Sequence, residues 1–133
     1  MSKISFLLIL MTCMSTAAQT SGESTGVLNL LTAPPYNDTE MGKRVLVDQP
    51  YLFMMQVALN PGQAVPQHNA NSNVNILVLD GDVVITLAGK NTPAKNGDLV
   101  PVTFGTPMSI KNSSQKKATF VIIKAPHPNA MEK

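Results

Sequence analysis

The chain reads as all-β, one antiparallel sandwich or barrel, and three observations predict this. Seven short segments rich in Val, Ile, Leu, Thr and Phe recur along it, at 44–48, 51–59, 74–79, 82–88, 99–102, 107–112 and 118–124. Turn residues stand between them: Asn60-Pro61-Gly62, Asp80-Gly81, Gly89-Lys90-Asn91, Asn96-Gly97 and Asn112-Ser113-Ser114. No segment sustains a 3.6-residue apolar period over ten residues. Regular spacing of short strands favours one closed or paired-sheet domain.

Taken in order, residues 1–18 come first. A basic start at Lys3, an apolar run from Ile4 to Met11 and small residues ending at Ala17-Ala18 have the layout of a secretory signal peptide. The run is too short for the ~20 residues that cross a bilayer, so no stable membrane anchor is expected after cleavage. Cys13 raises a lipoprotein alternative, but Met11 and Thr12 before it suit that cleavage poorly. The protein is therefore expected to be exported, periplasmic or secreted.

Cleavage removes Lys3 and the single Cys, so the formal charge falls from +2 to +1 and no disulfide or thiolate chemistry remains. That balance lacks the basic footprint of a nucleic-acid binder. Aromatic residues are 5% with no Trp, which argues against a stacking platform for bases. Residues 19–43 read as a polar leader and a turn-rich wrap around Pro34-Pro35 and Asn37-Asp38. The β-domain is expected over 44–126 and a tail over 127–133, with His127 on its surface. Lys116-Lys117 reads as a solvated hairpin tip. Asn37-Asp38-Thr39 and Asn112-Ser113-Ser114 match N-glycosylation sequons, relevant only in a eukaryotic source.

The stretch "HNANSNVNILVLDG", His68 to Gly81, places one histidine before four asparagines at alternate positions. Side chains alternate along a strand, so an inward His68 puts Ala70, Ser72, Val74, Ile76 and Val78 inward as well. Asn69, Asn71, Asn73, Asn75, Leu77 and Leu79 then face the other way. The two leucines need cover from the N-terminal strands or from a second subunit.

The turn residues fall as they do in the cupin superfamily, and the chain resembles a small single-domain cupin. The first cupin motif runs G-x5-H-x-H-x3-E-x6-G, and Gly62, His68 and Gly81 hold its places. The second runs G-x5-P-x-G-x2-H-x3-N, and Gly97, Gly105 and Asn112 hold theirs. The resemblance implies a single antiparallel jelly-roll β-barrel and a homodimer. In metal-binding cupins two histidines and a glutamate of the first motif join a histidine of the second around the ion. Mapped onto this chain, those positions are His68, Ala70, Val74 and Met108, and the motif proline is Thr103. One donor of the four survives, so the motifs are degenerate and no metal is expected by the usual set.

The expected site is a mostly apolar pocket of His68, Ala70, Val74, Ile76 and Met108, suited to a small-molecule ligand or an interaction partner. No cofactor and no catalytic residue is assigned, because no carboxylate partners His68 in either motif. The alternative is a soft-metal protein, or a metal-dependent enzyme with atypical ligands. His68 and Met108 would then be candidate ligands for copper or another divalent metal, with an inward Met54 or Met55 beside them. Packing by methionine in an irregular core is the simpler reading of those residues.

Overall fold

A computed structural model describes residues 26–132. Nine strands make up nearly all of its regular structure. They are β1 (Gly42–Gln49), β2 (Leu52–Leu59), β3 (Ala64–Asn69), β4 (Val74–Asp80), β5 (Asp82–Leu87), β6 (Lys90–Lys95), β7 (Leu99–Val102), β8 (Pro107–Lys111) and β9 (Ala118–Lys124). One 3-10 turn, Pro128–Ala130, follows. The expected signal peptide and most of the leader lie outside the described residues. Among the described residues no helix is long and apolar enough to cross a membrane.

All ladders are antiparallel, in a five-stranded sheet of order β1-β2-β9-β4-β7 and a four-stranded sheet of order β3-β8-β5-β6. The all-β antiparallel class therefore holds. No ladder joins one sheet to the other among the described residues, so the jelly roll is two apposed sheets rather than a closed barrel.

The core lies between the inner faces. Val57 and Leu59 of β2, Val74, Ile76 and Val78 of β4, and Phe120 of β9 face Val65, Val83, Ile85, Met108 and Ile110 of the other sheet. Fully burying each such side chain stabilises the fold by roughly 1.5–3 kcal/mol. The alternation in β4 is the one its sequence dictates: Val74, Ile76 and Val78 are buried, while Leu77 and Leu79 are half-buried on the outer face. Gln56 of β2 donates there from Nε2 to the Leu30 carbonyl at 2.8 Å, which brings the N-terminal segment onto that face. Leu99 of β7 remains 56% exposed on the same side.

Two strands escape the sequence reading, β3 and β6. Each contains a proline, Pro66 and Pro93, which demotes a segment as a strand because the ring removes a backbone donor. Both lie at edges of the four-stranded sheet, where a missing donor is tolerated. β1 begins at Gly42, inside the segment expected to wrap the surface. That position requires glycine, because a Cβ would lie 1.5 Å from the Pro35 carbonyl oxygen. The tail also differs from expectation. His127 is 16% exposed rather than a free surface residue, and its Nε2 lies 3.0 Å from Asp48 of β1. Its Nδ1 accepts from the Asn129 backbone N–H at 3.1 Å, and its ring meets Phe53 edge-on at 5.5 Å. Lys117 lies over the Tyr36 ring at 4.9 Å, so the expected solvated tip is in part a cation–π contact.

Candidate functional site

The site arises where the chain passes from one sheet to the other. β3 ends at Asn69, residues 70–73 bridge, and β4 begins at Val74 in the five-stranded sheet. Ala70 fixes the bridge, donating to Thr106 at 2.9 Å and accepting from Gly105 at 2.7 Å. The β3–β8 ladder also slips, pairing Val65 with Ile110 but His68 with Met108. The extra residue on β3 is a bulge, a device that re-aims side chains. It keeps His68 cross-strand from Met108 at the open end of the space between the sheets.

A cavity of about 320 Å³ occupies that end. Met41, Met55, Val65, Ala70, Val74, Met108 and Ile122 form its apolar walls, and Gln67, His68, Asn71 and Lys124 stand at its polar edge. Of the sequence-predicted pocket residues, His68, Ala70, Val74 and Met108 come together here. Ile76 does not line it and is fully buried in the core. His68 is exposed at the mouth rather than sunk in the interior, because β3 is an edge strand at its end there. Between Met54 and Met55, left open by the sequence, Met55 is the one that faces inward. A second depression, of about 340 Å³, lies against the β5–β6 hairpin and touches none of the motif positions.

The polar edge has a definite arrangement. A carbonyl oxygen only accepts, so the 2.9 Å contact between His68 Nδ1 and the Pro66 oxygen makes Nδ1–H the donor. In a neutral ring Nε2 then carries the lone pair. Lys124 continues the inward row Phe120–Ile122 of β9, and its Nζ donates to Asn71 Oδ1 at 2.9 Å. The Phe53 ring lies 5.8 Å from the same ammonium. Burial lowers the Lys124 pKa from its ordinary value. The sequence reading missed Lys124, although the parity of β9 would have found it. It also set Asn71 away from the pocket. The alternation does expose Asn71, but residues 70–73 are not a strand, and there the exposed side reaches the cavity mouth. Met41 carried no signal, since it lies in a turn-rich stretch before β1.

The four-ligand set of metal-binding cupins does not fit these residues. Ala70 and Val74 offer no donor atom and are 2% and 1% exposed, packed into the wall. Among the described residues no three His, Cys, Asp or Glu side chains converge. The motif asparagine Asn112 serves the fold instead. It is fully buried, and its Nδ2 donates to Leu59 at 3.0 Å and Lys116 at 2.7 Å. Its Oδ1 accepts from the Ser114 N–H and hydroxyl at 3.1 and 2.8 Å. The sequon at Asn112 is thereby closed to glycosylation in the folded protein, whatever the source.

No family model matches the chain. Over 87 residues it is 30% identical to an uncharacterized protein of Methanocaldococcus jannaschii, covering 65% of this chain and 75% of that one. The crystal structure of that same protein, an RmlC-like cupin family protein with a double-stranded β-helix fold, superimposes with a TM-score of 0.65 at 28% identity. It covers 74% of this chain and 93% of its own. An RmlC-like cupin of Desulfovibrio desulfuricans reaches 0.69 at 22% identity over 76% of this chain and 96% of its own, a likeness of fold. With two apposed antiparallel sheets, motif glycines at the turns and these relatives, the chain belongs to the cupin superfamily.

Proposed function

We propose that the protein is an exported small-molecule-binding cupin whose ligand sits in the cavity at His68. The single observation that carries this reading is the cavity itself. Its apolar walls and few polar groups at one edge are how small-ligand sites are built, and 320 Å³ falls at the small end of the roughly 300–1,000 Å³ such sites span. His68 Nδ1 is held by the Pro66 carbonyl rather than by a carboxylate, and the activity we assign is binding. The test is a two-dimensional amide NMR titration with a library of small organic molecules. Shifts should cluster at Val65, His68, Ala70, Val74, Met108 and Lys124. Shifts scattered over the surface, or confined to the β5–β6 depression, would overturn the reading. Export is checked separately: the mature protein recovered outside the cytoplasm should begin near residue 19.

A second reading is favoured by the tautomer of His68. A histidine that gives Nδ1–H to a backbone carbonyl presents Nε2 as metal ligands do, and Met41, Met55 and Met108 line the same cavity. Imidazole with thioethers suits copper(I). The Lys124 ammonium at the same mouth opposes any cation. Elemental analysis of purified protein decides between the readings: stoichiometric copper, lost in both His68→Ala and Met108→Ala, would replace the first reading with the second.

A further inference from the structure

We infer that the cavity takes a small organic carboxylate, its head group on Lys124 Nζ and Asn71 Nδ2 and its apolar body against Met55, Val74 and Met108. This inference rests on the ligand-binding reading and names the ligand class.

Three observations converge on it. Among the described residues the lining contains no Asp or Glu and one ammonium, so its formal charge is positive. Lys124 is half-buried at the inward end of β9, and its hydrogen-bond partner is the neutral Asn71 oxygen. Among the described residues its ammonium has no ion pair, since the ion pair found there joins His127 to Asp48. A half-buried cation without a counter-charge is unfavourable, and an incoming anion compensates it. Burial has already lowered the pKa of this amine, which is the signature of that missing compensation.

The head group follows from the donors. Asn71 spends its oxygen on Lys124, which leaves its Nδ2 hydrogens turned to other acceptors. That Nδ2 is bonded to the same amide carbon as the oxygen that accepts from Lys124 at 2.9 Å, so the head-group assignment gives one carboxylate oxygen to the ammonium and the other to the amide N–H. A phosphate ester would need more donors than one ammonium and one amide to offset a double charge. The body follows from the walls. Three methionines, Met41, Met55 and Met108, are adaptable apolar surfaces that accept varied shapes, so selection should act on the head more than on the chain behind it.

The experiment compares hexanoate and phenylacetate with hexanamide and phenylacetamide, titrated by NMR at pH 7 into wild type, Lys124→Met and Lys124→Arg. Each carboxylate should bind wild type about tenfold tighter than its amide, the worth of one charge-assisted contact. Lys124→Met should abolish that preference by weakening each carboxylate about tenfold more than its amide, and Lys124→Arg should keep most of it. Equal affinities in wild type, or a preference that survives in Lys124→Met, would overturn the head-group assignment and leave the pocket standing. Absence of binding by all four probes would overturn both. Should Lys124→Met fail to fold, the acid-to-amide comparison in wild type decides alone.

Discussion

Asn112 shows how a motif residue can be legible while its work is not. Its place at the end of the second motif is plain in the sequence. Its four side-chain hydrogen bonds depend on β2, the β8–β9 connection and Ser114 meeting at one point. Replacing it with Ala leaves buried partners unsatisfied, so Asn112→Ala should lose roughly 2–4 kcal/mol of stability. Urea unfolding with an unchanged m-value checks this. Gly81 closes the first motif at φ +86, where an added Cβ would lie 2.5 Å from the Lys117 carbonyl oxygen. Gly81→Ala combines backbone strain with that clash and should cost at least about 2 kcal/mol in the same assay. Lys124 and Met41 mark the limits at this scale. Lys124 could have been placed by alternation along β9, but Met41 reaches the cavity only because of how its loop closes on β1.

Among elements, the strands with a concentrated apolar run were the readable ones. β4 alternates buried and half-buried residues, which fixes its register, and β9 carries the apolar run 120–123, buried on both faces. β3 and β6 were not readable, because proline in a strand is acceptable only at an edge, and edge status is a property of the assembled sheet. The bridge at 70–73 hides in the same way: its residues keep the buried–exposed alternation of a strand while leaving the ladder. The C-terminal tail is an element by virtue of its contacts. His127 joins it to Asp48 and Phe53, and the Pro126 carbonyl accepts from the buried Ser72 hydroxyl at 2.6 Å. His127→Ala should therefore lower the melting temperature by a few degrees, corresponding to about 1 kcal/mol. It should also speed amide exchange in residues 125–131 more than in β4. Equal exchange in tail and core would show that the latch does not hold the tail.

For the whole molecule, the sequence reaches the architecture and stops short of the chemistry. Two apposed sheets follow from many independent alternations that agree with one another, and such consistency survives a missed strand. The site depends on which end of the sheets stays open and on which side chains gather there. Three of the positions that hold metal ligands in other cupins are here Ala70, Val74 and Met108, all buried wall residues. Lys124, outside both motifs, supplies the formal charge at the mouth. The fold is that of the family. Ala70, a 2%-exposed wall residue with room to grow into the cavity, offers the most direct test of the central claim. The measurement is the affinity of phenylacetate for wild type and for Ala70→Leu, with the fold of the variant checked by circular dichroism. Phenylacetate should bind wild type and bind a folded Ala70→Leu about tenfold or more weakly, as expected when a side chain occupies the ligand's space. Unchanged binding in the folded variant would contradict that claim.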